Sequence, residues 1–295
     1  SDVCSSDLVR AAARLVLYLA WTFLLIPVQV VAVALGLDLA RRLPRFYHRV
    51  CRRLIGLEVV RHGAIAASRP ILFVANHTSY LDITVLASLI DVSFVAKSEV
   101  AEWPLFGLLA KLQRSVFIER RASHSVRHRD EIGKRLDDGD ALVIFPEGTT
   151  SDGNRVLPFK SALFAVAERA VNGQPILVQP ISVAYVRLDG MPLGREWRPY
   201  YAWYGAMDMP GHLWHVLGLG KVTVEVIFHP PLDIAAAAAG ARFEWTGVRD
   251  RPTLAAARKA LADRCRIVVA RGVASALAGT SHGALAEVKP PEALA

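Results

Sequence analysis

Residues Leu15 to Leu37 form a run of 23 positions without a charged side chain, in which Thr22 and Gln29 are the most polar members. As a single helix rising about 1.5 Å per residue it would reach about 34 Å, enough to cross the hydrocarbon core of a bilayer. Two details complicate a simple span. Pro27 sits in the middle, which predicts a kink or a split into two halves. Basic residues flank both ends, Arg10 and Arg14 before the run and Arg41, Arg42 and Arg45 after it. A bend that returns both ends to one membrane face suits those charges better than a crossing. A buried core helix is the alternative reading of the same run. A secretory signal is disfavoured, because no small-residue cleavage site precedes the next basic stretch.

The following segment extends the membrane argument. Leu43, Phe46, Tyr47, Val50, Cys51, Leu54 and Ile55 recur at helical spacing, while Arg41, Arg42, Arg45, Arg49, Arg52 and Arg53 fill the remaining face. This is the pattern of a basic amphipathic helix lying in a headgroup layer. Nine basic residues against four acidic ones in the first 62 positions supply most of the net charge of +8. A basic excess beside apolar sequence points to an anionic membrane surface and away from nucleic acid. With 53% hydrophobic and 21% charged residues the chain is neither disordered nor fibrous. Cys4, Cys51 and Cys265 are far apart and odd in number, which fits a reducing, cytosol-facing compartment and no metal-ligand pattern.

From residue 70 onward, short β-rich runs alternate with helical stretches. Strands are expected at Ile71–Ala75, Val92–Ala96, Ser115–Ile118, Ala141–Phe145, Ile176–Tyr185 and Val222–Phe228. Helices are expected at Ser79–Ile90, Pro104–Leu112, Ser123–Asp138, Ser161–Val171 and over 253–272, with Gly139 as a C-terminal cap. The aromatic-rich stretch 188–220 has no clear periodicity. The alternation predicts an α/β fold, with a mixed, largely parallel sheet flanked by helices behind an N-terminal hydrophobic membrane-binding segment. The expected organisation is an anchor over 1–62, a domain over 63–272 with its motif core at 70–187, and a flexible tail over 273–295.

Reactive groups in such sheets gather at the carboxyl ends of strands. The loop after Ile71–Ala75 reads Asn76-His77-Thr78-Ser79-Tyr80-Leu81-Asp82. His77 and Asp82 would diverge on one continuous helix, yet they converge if His77 lies on the loop and Asp82 in the first helical turn. Ser79 and Asp82 resemble a capping box, which places the helix start between them. A carboxylate on one imidazole nitrogen fixes the tautomer and leaves the other free to take a proton. With no serine or cysteine nucleophile beside the pair, the natural client is an external hydroxyl attacking a carbonyl. A second loop, Phe145 to Ser151, suits a tight turn exposing the amides of Gly148 and Thr149 and the carboxylate of Glu147; a plain turn is the alternative. Arg120, at the end of Val116–Arg120, is placed to clasp a phosphate or else is a surface arginine. Lys97 and Lys160 are weaker candidates of the same kind. His124 and His128 have a metal-compatible spacing but sit among arginines without a third ligand, so no metal is expected.

In combination these elements resemble the glycerophospholipid acyltransferase family. The order is Asn-His-x4-Asp at 76–82, Phe-Ile-x-Arg at 117–120, Phe-Pro-Glu-Gly-Thr at 145–149 and a proline-containing strand at 178–181. The resemblance implies His77 as general base, Asp82 as its partner, Arg120 as a phosphate contact, and Glu147 and Gly148 as substrate-positioning residues. Asn76, Thr149, Lys97 and Lys160 complete the candidate binding set. It implies a membrane-associated O-acyltransferase, moving an acyl group from acyl-CoA or acyl-carrier protein to a lysophospholipid, with no cofactor or metal. The first expected acceptor is 1-acyl-sn-glycerol-3-phosphate, giving phosphatidic acid, and the second is a lyso-ornithine lipid. The implied location is a bacterial inner membrane, with the catalytic domain facing the cytoplasm. Two positions depart from the pattern: Arg114 stands where glycine is usual, and Thr150 where arginine is frequent. A noncatalytic lipid-binding protein, or a hydrolase passing the acyl group to water, are the rival classes.

Overall fold

The computed structural model describes residues 5–118, 125–171, 174–235 and 251–280. Most of the uncharged run, Leu15 to Ala34, lies within one helix, α1 (Ser5–Ala34), which continues through Pro27 without the expected split. Contacts on both sides of the proline hold it. Thr22 Oγ1 lies 2.9 Å from Tyr47 Oη, and Gln29 Nε2 donates to the carbonyls of Ala40 and Leu112 at 2.9 and 2.8 Å. The chain reverses through Gly36, whose φ of +64° favours glycine, into α2 (Leu39–Ile55). Because Gln29 meets Ala40 while Trp21 and Thr22 meet Tyr47, the two helices form an antiparallel hairpin.

Only one stripe of α1 is covered. Ala11, Tyr18, Thr22, Gln29 and Ala32 are buried, whereas Val16, Leu17, Phe23, Leu24, Val31 and Leu35 are exposed. The most apolar 18-residue window is 17% buried, so α1 is not the core helix that its sequence also permitted. Its basic flanks stand at opposite ends of one unbroken helix. Arg14 Nη1 donates to the carbonyls of Leu217 and Leu219 at 3.0 and 2.7 Å, and Arg10 to Gly218 at 3.2 Å. These carbonyls end helix α6 (Met209–Gly218), where a cation is favoured by the helix dipole. The N-terminal arginines therefore dock α1 onto the domain.

The sheet contains β1 (Leu57–His62), β2 (Ile71–Ala75), β3 (Ser93–Lys97), β4 (Val116–Ile118), β5 (Leu142–Ile144), β6 (Leu177–Leu188) and β7 (Val222–Phe228). Their order is β1-β7-β6-β2-β5-β3-β4, with Met191–Pro192 pairing β6 off this path. Only the β7–β6 pair on that path is antiparallel, which makes the sheet mixed and largely parallel as expected. Alternate residues of β2 enter opposite layers. Ile71, Phe73 and Ala75 pack with α1, α2 and α3 (Leu81–Leu89), while Leu72 and Val74 pack with α5 (Ser125–Asp137) and α7 (Arg251–Leu277). Helix α4 (Phe106–Leu112) lies between α3 and β4 in the chain.

Several elements depart from the expected ones. Strand β1 was not anticipated; it begins the sheet before residue 63, along the edge of β7. Residues 161–168 form a 3-10 helix where a longer α-helix was expected. Helix α7 extends to Leu277, burying Val273 and Ala276 in what was expected to be the start of a tail. Gly139, at φ +78°, does end α5. Arg114 adopts φ +60°, which explains why glycine is usual there; its side chain reaches Asp140 at 2.8 Å.

Removing the Arg14 guanidinium strips the Leu217 and Leu219 carbonyls of their side-chain donor. Arg14→Ala should cost about 1–2 kcal/mol and, in limited proteolysis, expose residues 5–35 to cleavage before the sheet unfolds. Cleavage kinetics matching the native chain would contradict this docking role.

Candidate active site

Neighbouring parallel strands β2 and β5 both release their chains at the same end of the sheet, so the 76–80 and 145–160 loops lie side by side. Ser151 N–H donates to the His77 carbonyl at 2.9 Å, and Trp203 N–H donates to the Thr78 carbonyl at 3.0 Å. Three chain segments thereby fix the backbone that carries His77.

The structure brings His77 and Asp82 together, with Nδ1 2.9 Å from Oδ2. Asp82 is fully buried in the first turn of α3, where the helix dipole favours a carboxylate. Oδ2 also accepts the N–H groups of Thr78 and Ser79 at 2.7 and 2.9 Å, and Oδ1 accepts Tyr185 Oη at 2.9 Å. Burial, and then the neighbouring Asp82 charge, hold the Tyr185 phenol well above its ordinary pKa, so it remains a donor. Surrounded by donors, Asp82 acts as an acceptor only. His77 Nδ1 must therefore carry the hydrogen, which leaves the Nε2 lone pair for an incoming proton. The ring is 19% exposed and stacks on Phe145 at 3.9 Å. Of the expected capping box only the acidic half forms: Asp82 reaches back to the Ser79 amide, while Ser79 Oγ is buried with no hydrogen-bond partner among the described residues.

Glu147 is spent on the backbone. Its Oε1 accepts the His77 N–H at 2.8 Å and its Oε2 the Leu157 N–H at 3.0 Å. Burial pushes its carboxyl up to about 7, opposed by those two hydrogen bonds and reinforced by the Asp82 charge. Asn76 is likewise occupied, exchanging hydrogen bonds with the Val183 backbone at 2.9 and 2.8 Å and so tying β2 to β6. These two residues position the loop from beneath. Gly148, at φ +67°, lies under the Lys160 ammonium, which fills the place where a Cβ would project. Thr149 and Lys160 are exposed on this loop, and Lys97 closes β3. Arg120 and His124 lie outside the described residues, as does the side chain of His128.

Tyr185 and Phe145 were absent from the candidates. Phe145 belonged to the motif and marked its own place; Tyr185 had no signal beyond its membership of an apolar strand. Beside this site an apolar cavity of about 170 Å³ opens between α1, α2, α3 and α4. Leu25, Ile26, Tyr80, Leu81, Phe94 and Leu109 are among its lining residues. Phe94 stacks on Phe145, so the cavity wall continues to the face of the His77 ring.

A family model described as Acyltransferase matches residues 53–184. A lyso-ornithine lipid O-acyltransferase of Rhizobium meliloti is 47% identical over 229 residues, covering 76% of this chain and 78% of its own. A 1-acyl-sn-glycerol-3-phosphate acyltransferase of Neisseria gonorrhoeae is 35% identical over 184 residues, covering 61% of this chain and 67% of its own. Among solved structures, the 1-acyl-sn-glycerophosphate acyltransferase PlsC of Thermotoga maritima superposes with a TM-score of 0.51. That alignment covers 90% of this chain and 97% of the other at 22% identity, a likeness of fold alone. The fold and the relatives together define an α/β acyltransferase of the lysophospholipid type. The chain belongs to the acyltransferase family.

The raised carboxyl of Glu147 fixes the sign of a pH effect. Its folded value, about 7, lies above the ordinary 4.5, so the folded state holds the proton more tightly. Stability contributed by this group should fall as pH rises from about 4.5 to about 7, by up to roughly 3 kcal/mol, and level off above. Denaturant titrations across that range should show the slope in the native chain and its loss in Glu147→Gln. Parallel curves for the two proteins would refute it.

Proposed function

We propose that this enzyme transfers a fatty acyl group from an acyl thioester to the hydroxyl of a lysolipid, with His77 as the general base. The observation that carries the reading is the Asp82 carboxylate on Nδ1, which leaves Nε2 as the acceptor on a partly exposed ring. Nε2 takes the hydroxyl proton as the oxygen attacks the thioester carbonyl. The new C–O bond forms, the C–S bond breaks, and the departing thiolate recovers the proton from the imidazolium. No acyl-enzyme is needed, and holding both substrates in place supplies part of the acceleration. Amides of the Gly148–Thr149 turn are the candidate donors to the oxyanion. The apolar cavity beside Phe94 and Phe145 suits an acyl chain whose reacting end stops at the His77 ring. The donor is acyl-CoA or acyl-carrier protein.

For the acceptor we favour a lyso-ornithine lipid, ahead of the 1-acyl-sn-glycerol-3-phosphate expected from sequence. Relatives named for that activity match at 47% identity in both Rhizobium meliloti and Brucella abortus. An ornithine head group lacks a phosphomonoester, which agrees with Thr150 in place of the frequent arginine. Arg114 compensates for nothing there, since its guanidinium is engaged by Asp140. The Neisseria relative keeps 1-acyl-sn-glycerol-3-phosphate as the second reading.

Exposed apolar residues along α1 support a helix half-sunk in one leaflet, docked to its own domain rather than passing through. The location that fits is the cytoplasmic leaflet of a bacterial inner membrane, where two buried free cysteines are at home.

With labelled acyl-CoA or acyl-carrier protein and each purified acceptor, lyso-ornithine lipid should be the faster substrate. His77→Ala should lower turnover by about 10²–10⁴ with vesicle binding retained. Near-native turnover in that variant would sink the mechanism. Lipid binding without transfer would favour the noncatalytic alternative, and free fatty acid as the main product in the presence of acceptor would favour a hydrolase. Leu109→Trp, by filling the cavity, should shift the preferred donor to shorter chains with the melting temperature held. An unchanged chain-length profile would remove the cavity from the acyl path.

A further inference from the structure

A second, polar cavity of about 190 Å³ opens between the start of α2, the loop before β2 and the N-terminal ends of β3 and β5. Ala141 lines it, and Phe145, at the other end of β5, stacks on His77. At about 3.3 Å per residue those four steps put the cavity roughly 13 Å from the dyad, at the opposite end of the sheet. Its charged walls are Arg41, Arg42, Arg69, Arg114, Asp91 and Asp140.

The carboxylates are already claimed. Asp140, whose side chain is 6% exposed, meets Arg135 at 2.6 Å, Arg114 at 2.8 Å and Arg41 at 3.4 Å. Asp91 meets Arg45 at 3.2 Å. Arg42 makes no ion pair among the described residues, and Arg69 Nη1 donates only to carbonyls of its own loop, at 3.0–3.5 Å, with Asp91 acting on it by charge and not by contact. The cavity is thus a polar recess whose lining guanidinium groups outnumber its carboxylates. Planar guanidinium forks pair best with the oxygens of a phosphate or carboxylate.

The setting selects the source of that anion. The turn leading into α2 exposes Leu35, Leu37 and Leu39, continuous with the apolar face of α1. Arg42 follows Leu39 by three residues, so the two sit as neighbours on one face of α2, a guanidinium beside an exposed apolar side chain. Resting on the seating of α1 in a leaflet, we propose that this cavity binds the phosphate of an anionic phospholipid through Arg42 and Arg69. It is a headgroup site distinct from the catalytic one. It adds a stereospecific contact to the diffuse attraction that the remaining arginines of α2 supply.

The test uses the full chain and two charge-matched double variants, Arg42→Ala/Arg69→Ala in the cavity and Arg53→Ala/Arg61→Ala on exposed surface outside it. Neither pair belongs to the Asp140 cluster, and melting temperatures verify that both fold. Cosedimentation compares phosphatidylcholine vesicles with vesicles containing phosphatidylglycerol. The native chain should prefer the anionic vesicles, and the cavity variant should lose about tenfold or more of that preference, with the surface pair losing clearly less. A soluble short-chain phosphatidylglycerol should raise the melting temperature of the native chain and leave the cavity variant unmoved. Equal losses in the two double variants would overturn the site. So would protection by inorganic phosphate alone with no preference among vesicles. Failure of the native chain to bind neutral vesicles would instead reject the seating of α1, while the short-chain lipid still reads the cavity directly.

Discussion

The Asp82 carboxylate is the interaction on which the arrangement of the site depends. Two oxygens receive four donors: the His77 ring, the Thr78 and Ser79 amides, and the Tyr185 hydroxyl. The four donors serve three structural tasks. The amides shape the loop into α3, Tyr185 ties that loop to β6, and the imidazole receives its tautomer. An unpaired carboxylate buried to this degree would be costly, and it is tolerated because both of its oxygens find donors. One carboxyl group therefore links local folding, sheet packing and the direction in which the histidine can accept a proton.

The second carboxylate, Glu147, works through the backbone alone. It joins the His77 amide to Leu157 across the mouth of two strands, so the histidine is held from both its ring and its main chain. Asn76 does the same one residue earlier, against Val183. A run of conspicuous polar residues thus divides into one group that faces outward and others that hold it still. Preorganisation of this kind removes the need for reorganisation during reaction, and it explains why buried polar side chains accumulate beneath a small reactive surface.

Much of this was legible locally. Periodicity located the strands and most helices within a few residues, because alternating and helical apolar patterns report which face meets a core. The His77–Asp82 pair was readable because five positions separate them and the intervening turn is short. What escaped was nonlocal. Tyr185 reaches Asp82 only because β6 lies beside β2, a pairing that no neighbouring residue announces. Strand β1 was hidden for a related reason: its partner β7 is far along the chain, and the preceding basic helix dominates the local pattern. Arg10 and Arg14 looked like the flank of a membrane segment, but the carbonyls they engage belong to α6, some 200 residues later. Glu147 was read as a substrate-positioning residue, and the two backbone hydrogen bonds that occupy its oxygens were not legible, because a motif shows composition and not hydrogen-bond saturation.

The same nonlocal docking decides how a lipid substrate can arrive. Helix α1 is anchored by Arg10 and Arg14 at one end and by Gln29 near the other, so its apolar outer face and the apolar cavity behind it belong to one rigid wall. A helix standing free across a bilayer would leave the His77 ring separated from the hydrocarbon by the aqueous headgroup layer. A helix lying against the domain places the cavity between the exposed apolar face, seated in the leaflet on the proposed reading, and the stacked Phe94, Phe145 and His77 rings. An acyl chain can then exchange between leaflet and cavity without fully entering water, avoiding about 0.8 kcal/mol for each methylene otherwise exposed. Over a fatty chain that sum is larger than any single polar contact at the dyad, so seating the domain beside the leaflet matters to the proposed reaction as much as orienting the base.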